Sequence, residues 1–330
     1  MRIIFNLMNC GLGNNGGSRT LIKSANTLQD LGHEVTIIDT GRNQNTWIPL
    51  KAKHIKIKKN SNLPNADAVI GTGYNTWKST LNLPRRCGKK FAWVRGWETW
   101  NAPQEKLLNA LYDKRLSILV NSICLQQKLK YYNLYSCIVR PGNDFDEIFP
   151  NNTKTLKDGL IIGGLFNSGS KRKTKQTEWI FEAVKRCKEK FAGLKLWMFG
   201  TDGYPNNPVV DEYWKDPSIE DKNAIYNRCH IWLFPSILEG LSIVCQEALL
   251  AECCLIATNA EMSGTQDFLI NNSTGLVSDT NINSFTDELQ RAIIYQDLRE
   301  KYGKNGRDLV VKLGDRESNM KQLVSVLERP

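Results

Sequence analysis

The chain has 330 residues, 41% hydrophobic and 24% charged, with a formal net charge of +10 at pH 7. That length suits about two domains of roughly 150 residues, each long enough to bury its own core, and the composition is ordinary for a soluble globular protein. No stretch approaches ~20 apolar residues, which argues against a spanning helix; nine cysteines without a C-x-x-C spacing argue against a disulfide scaffold and suit buried, reduced thiols.

The first element, Ile3 to Leu7, predicts a short buried strand. Its apolar run is too short for a signal peptide, and Asn6 and Asn9 break it. A place in the cytoplasm follows as an expectation. The positive balance favours anionic partners: phosphorylated ligands, nucleic acid or acidic lipid headgroups. A glycine-rich loop, Gly11 to Gly17, comes next. Leu21, Ile22, Ala25, Leu28 and Leu31 then recur at helical spacing, with Ser18 as the expected N-cap and Gly32 as the stop. Val35 to Ile38 predicts a second strand. This β-loop-α-β unit implies a parallel sheet in the N-terminal half.

Lys51, Lys53, Lys56, Lys58 and Lys59 form a basic cluster in which Ile55 and Ile57 alternate with lysines, as on a half-exposed strand. Lys171, Arg172, Lys173 and Lys175 form a second. A solvated surface explains each cluster as well as a binding role does. Further strands are expected at Ala68–Ile70, Phe91–Val94, Ile118–Val120 and up to Ile138. The polar stretch from Asn143 to about Asp158, with Pro150, reads as an interdomain linker.

The second half repeats the pattern. Leu160 to Gly164 predicts a strand running into a glycine turn, and Thr177 to Lys190 a helix. Strands follow at Leu194–Phe199, Ile231–Phe234 and Cys254–Ala257. The expected fold is α/β, two Rossmann-like domains facing a central cleft, with ligands at the C-terminal ends of the strands. The domains are expected at 1–148 and 149–330, with the last helix a candidate to pack back on the first.

Two constellations carry chemistry. Gly11, Gly13 and Gly16 match G-x-G-x-x-G, and Asp39 ends the next strand about 20 residues on, as in a dinucleotide fingerprint. That reading stays open; against it, Met8, Asn9 and Cys10 intervene between strand and glycines, and a dinucleotide turn is tighter than that. The secure part is that glycines before a helix let backbone N–H groups approach an anion; a plain structural turn is the simpler alternative. The second constellation runs from Phe234 to Leu249. A strand ends at Phe234, Gly240 and Ser242 open a helix, and Ser242 is a good N-cap. Free N–H groups there suit a diphosphate. Glu247, about one to two turns into the helix, suits a hydroxyl pair such as that of ribose. Glu239, before the turn, suits sugar hydroxyls. A capped structural helix with two surface carboxylates is the competing explanation.

The Glu239-x7-Glu247 segment resembles the E-x7-E motif of retaining GT-B glycosyltransferases, specifically family four of the sugar-transferase classification. Gly16-Gly17, Val120-Asn121-Ser122, Pro141-Gly142-Asn143-Asp144, Gly200-Thr201-Asp202-Gly203 and Gly275-Leu276-Val277 resemble further family motifs in the same order. The resemblance spans most of the chain and implies GT-B architecture and a nucleoside-diphosphate sugar as donor, a UDP-sugar ahead of a GDP- or dTDP-sugar, with no resident cofactor or metal. It implies Glu247 on the ribose, Glu239 beside the donor sugar, and backbone N–H groups of Gly240, Leu241 and Ser242 on the distal phosphate. Gly16 and Gly17 join the donor site. Lys175, with Arg172 (or Lys171), neutralises the departing diphosphate. Gly164 stands where the family usually has that arginine. In place of the family's N-domain histidine stands Arg95, followed by Glu98 among Trp93, Trp97 and Trp100, which suits an acceptor-side sugar surface; packing with a surface salt bridge would explain these residues too. The usual Gly-x-Pro is absent near Glu252-Cys253-Cys254, and Asn259 to Gly264 replaces a glycine-rich loop. His230 reads as structural.

The expected function is transfer of a sugar to a hydroxyl acceptor (a glycan, a lipid-linked sugar or a small glycoside) with retention. The rivals are an NAD-dependent oxidoreductase using the N-terminal loop, and a non-catalytic basic binding protein. No nucleic acid is expected as partner, and peripheral contact with an anionic membrane is an added expectation. Asp144-Phe145-Asp146 looks like a D-x-D metal motif but falls in the linker.

Overall fold

The computed structural model describes residues 1–41, 45–57, 63–151, 153–157, 159–168 and 170–329. Lys58, Lys59 and Asp158 lie outside the described residues, as do the side chains of Lys171 and Arg172. The chain forms two compact units, one of Met1–Gly142 with Asp315–Pro330 and one of Asn143–Gly314. The chain thus leaves the first unit before position 148. The physical reason is that Phe145 and Ile148 pack into the core of the second unit, where Asn143 also donates Nδ2–H to Gln246 Oε1 at 2.8 Å.

The first unit runs β1 (Arg2–Leu7), α1 (Gly16–Asp30), β2 (Glu34–Asp39), β3 (Lys53–Lys56), β4 (Ala68–Gly71), α2 (Tyr74–Leu81), β5 (Lys89–Val94), α3 (Gln104–Leu111), β6 (Leu116–Val120), α4 (Ile123–Tyr131) and β7 (Cys137–Ile138). Its strands form one parallel sheet in the order β3-β2-β1-β4-β5-β6-β7. β1 is apolar throughout its centre because both faces are covered. Ile3, Phe5 and Leu7 enter one core with Leu21, Ile22 and Leu28 of α1; Ile4 faces the other way, with Ile38 and Val69.

Asn15, not Ser18, caps α1: its side chain accepts the Ser18 N–H at 2.9 Å. Gly16 and Gly17 join the helix, so its start lies earlier than the hydrophobic period suggests. Gly32, at φ +84°, follows the helix end. The C-terminal helix Arg316–Glu328 belongs to this unit, adding Met320, Leu323, Val326 and Leu327 to the core under α1. Gly142 permits that return, since a Cβ there would lie 2.4 Å from Arg316 Cα. Arg316 Nη1 donates to Pro141 O at 3.1 Å.

The second unit runs β8 (Leu160–Leu165), α5 (Thr177–Lys188), β9 (Leu194–Gly200), β10 (Glu212–Lys215), α6 (Ile219–Arg228), β11 (Ile231–Phe234), α7 (Ile243–Leu250), β12 (Cys254–Thr258), β13 (Leu276–Ser278), α8 (Ile282–Ile294) and α9 (Gln296–Lys312). Its parallel sheet has the order β10-β9-β8-β11-β12-β13. Gly163 and Gly164 do not turn the chain. They lie inside β8, because a Cβ at Gly163 would sit 2.3 Å from the Trp232 ring and one at Gly164 3.0 Å from Ile180 Cδ1. His230 is buried just before β11 and accepts the Ile161 N–H on Nδ1 at 3.1 Å, a structural bond as expected.

In both sheets the strand order reverses once, between β1 and β4 and between β8 and β11. Ligands of such sheets bind outside the carboxyl ends of the strands at that reversal.

Candidate functional site

In the second unit the loops leaving β8 and β11 meet at the reversal point. A short 3-10 segment, Ser170–Lys175, follows β8. Its Thr174 carbonyl accepts the Ile237 N–H at 2.9 Å and the Ser236 hydroxyl at 3.3 Å. This docking brings Lys175 Nζ onto Glu239 Oε1, an ion pair of residues 64 apart in sequence, with side chains 24% and 21% exposed.

A third loop, after β12, holds the turn. Met262 O accepts the Glu239 N–H at 2.6 Å, and Gly264 O accepts the Ser242 N–H at 3.2 Å. Gly264 has φ +71°, and a Cβ there would lie 2.8 Å from Glu239 Cβ. The segment Asn259 to Gly264, which differs from the family's loop, therefore sets the position of Glu239 and Gly240.

Ser242 caps α7, its side chain accepting the Cys245 N–H at 3.4 Å. Because the Ser242 N–H is taken by Gly264, it is not one of the phosphate donors its place in the motif implies. The Gln246 N–H reaches Ser242 O at 3.3 Å. Helix geometry then leaves Ile243 and Val244 heading the first turn without an i−4 partner inside the helix, and both reach the surface in part.

Glu247 sits on this helix, 6% exposed, and accepts the Tyr226 hydroxyl on Oε2 at 2.9 Å. It is a buried, hydrogen-bonded group and not a surface carboxylate. Tyr226 is itself held in an aromatic cluster with Phe199 and Trp232, at ring centroid distances of 5.6 and 4.8 Å. Beside this site, Asp202 of the Gly200–Gly203 turn accepts the Ser168 N–H at 2.7 Å, tying that turn to the loop after β8.

In the first unit, Gly17, Arg95 and Glu98 lie near one another, while Gly16 opens α1 just ahead of Gly17. Arg95 donates Nη1–H to Gly17 O at 2.9 Å and Nε–H to Thr72 O at 3.4 Å, bridging the start of α1 and the loop after β4. Glu98 accepts the Tyr74 N–H at 3.2 Å on Oε1 and the Asn101 side-chain N–H at 2.8 Å on Oε2. The two charges are not directly bonded to each other. Burial raises the Glu98 pKa, against the pull of those hydrogen bonds and of Arg95; burial also lowers that of Arg95.

The glycine loop does not form a dinucleotide turn. After Leu7 the chain first turns back, with the Cys10 and Gly11 N–H groups on Leu7 O, and α1 begins only at Gly16. Asp39 is wholly buried, and its carboxylate accepts the Lys56 Nζ–H at 2.9 Å and the Gly41 N–H at 2.5 Å, with His54 Nε2 at 3.5 Å. Its charge is spent inside the fold. Lys51 likewise pairs with Asp30 at 2.6 Å, so two lysines of the first basic cluster have internal partners. Among the described residues no group of three or more His, Cys, Asp or Glu is placed to hold a metal ion, and no helix is long and apolar enough to cross a membrane.

Residues 164–309 match the family described as glycosyl transferases group 1. This segment is similar to the group 1 glycosyl transferases. The capsular polysaccharide biosynthesis glycosyltransferase CapM of Staphylococcus aureus is 27% identical over 167 residues, covering 48% of this chain. The match spans less than half of that relative, 43% of its length. Among solved structures, HepE of Anabaena, solved with UDP-glucose, is similar over 99% of both chains with TM-score 0.81 and 11% identity. A glycosyltransferase of Rickettsia africae covers 99% of this chain and 97% of its own, with TM-score 0.75 and 19% identity. Sucrose-phosphate synthase of Thermosynechococcus elongatus covers 99% and 98%, with TM-score 0.77 and 14% identity. These likenesses establish the fold: two parallel-sheet α/β units of the GT-B class, as the sequence motifs implied.

Within that matched segment, Tyr226, Thr174, Met262 and Gly264 were not foreseen as parts of the site. Gly264 had a local signal, a glycine in a polar loop. Tyr226 had none, since its role depends on how α6 packs beside α7.

Proposed function

We propose that the chain transfers a sugar from a nucleoside-diphosphate sugar to a hydroxyl acceptor, with retention of configuration. The observation that carries this reading is the Lys175–Glu239 pair at the β8/β11 reversal, directly ahead of α7 and its buried Glu247. A cation there meets the charge that grows on a departing diphosphate, where it lowers the barrier most. The N–H groups heading α7 add donors to the distal phosphate, Glu247 accepts the ribose hydroxyls, and Glu239 lies beside the donor sugar. Arg172 is assigned as a second cation, and Gly16 and Gly17 as further donor contacts, with Arg95 and Glu98 on the acceptor side.

In the proposed reaction the acceptor oxygen bonds to the anomeric carbon on the face from which the diphosphate leaves. The bond from that carbon to the phosphate oxygen breaks, and the acceptor proton passes to that oxygen. Side-chain cations, not a resident metal, supply the charge. A UDP-sugar is the preferred donor, ahead of GDP- and dTDP-sugars; HepE, solved with UDP-glucose, supports this by fold alone. The proposal includes a cytoplasmic site of action and, through the Lys- and Arg-rich N-terminal half, peripheral contact with anionic membrane. Sedimentation with anionic vesicles at low salt tests that contact, and equal recovery with neutral vesicles removes it.

Thermal-shift measurement with UDP, GDP, dTDP, NAD and an oligonucleotide tests the ligand class. Stabilisation by UDP, lost in Glu247→Ala, is expected. Stabilisation by NAD alone, or by the oligonucleotide alone, overturns the reading.

A further inference from the structure

The turn after β5 holds more than the Arg95 and Glu98 side chains. Trp100 is 58% exposed, and its ring lies against the backbone of Gly96, where a Cβ would come within 3.2 Å of the ring. The turn is closed by backbone bonds from Asn101 N–H to Glu98 O and from Thr99 N–H to Trp97 O, at 2.9 and 2.7 Å. Behind it, Trp97 is buried and stacked on Tyr132 with the ring planes 3° apart, so the base of the turn is rigid. An open indole face on a fixed turn is therefore presented to solvent.

The same turn and the adjoining strand ends also carry hydrogen-bonding capacity. Arg95 spends Nη1 and Nε on two carbonyls, which leaves the Nη2 hydrogens for another acceptor. Each Glu98 oxygen takes one protein hydrogen bond and retains a further lone pair. Asn121, next to Arg95 at the end of the neighbouring strand β6, donates to Arg95 O at 3.4 Å, while its buried Oδ1 has no partner among the described residues. Apolar C–H faces match an aromatic ring, and vicinal hydroxyls match a planar guanidinium or carboxylate. A pyranose has both.

We propose that Trp100, Glu98 and Arg95 form a subsite for the pyranose ring of a glycoside acceptor, with Trp100 as the stacking platform and Asn121 as a positioning residue for Arg95. This rests on the transferase reading for its role in catalysis, though not for the binding itself. It selects a glycoside among hydroxyl acceptors, over an alcohol without a sugar ring.

The test uses the full chain. Saturation-transfer NMR with a panel of methyl pyranosides is expected to show binding that Trp100→Ala removes and Trp100→Phe restores in part. With a nucleotide-sugar donor, Trp100→Ala is expected to raise KM for the glycoside acceptor at least tenfold while kcat changes less; the thermal shift given by UDP serves as the folding control. Equal binding and equal acceptor KM in Trp100→Ala overturn the subsite, as does the absence of pyranoside binding to the wild type, or equal use of an acyclic alcohol. If no donor is consumed by the wild type, the transferase reading fails, and the NMR arm still decides whether the sugar subsite exists.

Discussion

Tyr226 donates its hydroxyl hydrogen to Glu247 Oε2 across 2.9 Å, on a glutamate only 6% exposed. The bond fixes the carboxylate from the α6 side, so the ribose acceptor in our proposal is preset before any donor arrives. Tyr226→Phe removes this donor from a buried carboxylate. The expected cost is about 1–3 kcal/mol of unfolding free energy, read from urea midpoints, with a raised KM for the donor. Glu247→Gln is expected to raise that KM at least about tenfold, as expected for losing charge-assisted hydrogen bonds. An unchanged KM in both variants would place the nucleotide elsewhere.

Gly264 tests the positioning of the turn. Gly264→Ala asks an L-residue to adopt φ +71° and brings a Cβ to 2.8 Å from Glu239 Cβ. Strain of about 1–2 kcal/mol comes from the backbone, and the clash adds to it. We expect a modest loss of melting temperature and a much larger loss of kcat, because the displaced residues are Glu239 and Gly240. Proportionate losses of the two, or a full-activity variant, would show that the loop after β12 does not set the site.

Lys175 is the cation for which the structure gives a partner. Lys175→Met keeps the length of the side chain and removes the charge. We expect kcat to fall by roughly 100-fold or more, in the range seen when one group stabilising developing charge is lost. Donor KM should change less. A chelator such as EDTA should leave the wild-type rate unchanged, since the proposal puts the leaving-group charge on side chains. A rate that collapses with EDTA and returns with a divalent cation contradicts that assignment.

His230 predicts an acid-sensitive fold. Burial, with Arg299 and Lys154 nearby, lowers its pKa to about 4, and the Ile161 N–H on Nδ1 needs that nitrogen unprotonated. The folded state thus prefers the neutral ring. The stability this contributes is complete above the ordinary histidine pKa of about 6.5 and is lost as pH falls through about 4. Comparing urea midpoints of wild type and His230→Asn at pH 7.5 and pH 4 isolates the effect from other acid titrations. The wild type should lose about 3 kcal/mol relative to the variant on going to the lower pH; parallel behaviour of the two would show that His230 does not titrate with folding.

Most of the sheet framework was legible because buried parallel strands are near-continuous apolar runs, as in Ile231 to Phe234 and, with Asn6 as its one polar residue, Ile3 to Leu7. β10 was not, since Glu212–Lys215 is a partly exposed edge strand with no such run. Gly163 and Gly164 misled because a glycine that makes room for the Trp232 ring looks, in one dimension, like a glycine that turns the chain. The Ser18 cap failed for a related reason: hydrophobic spacing marks where a helix is buried, while Asn15 and two glycines decide where it begins. At the site, the proximity of Lys175 to Glu239 came only through the motif resemblance, because no local pattern links residues so far apart. Tyr226 and Met262 were illegible, being contributed by packing and by a backbone carbonyl.

The central claim is that the Lys175–Glu239–Glu247 constellation transfers sugar from a nucleotide with retention. The most direct test is proton NMR of the wild-type chain with UDP-, GDP- and dTDP-sugars and the methyl pyranoside panel. We expect a UDP-sugar to be consumed and the product glycoside to have the donor's anomeric configuration. A product of inverted configuration would refute the mechanism, and no turnover of any nucleotide sugar would contradict the functional assignment itself.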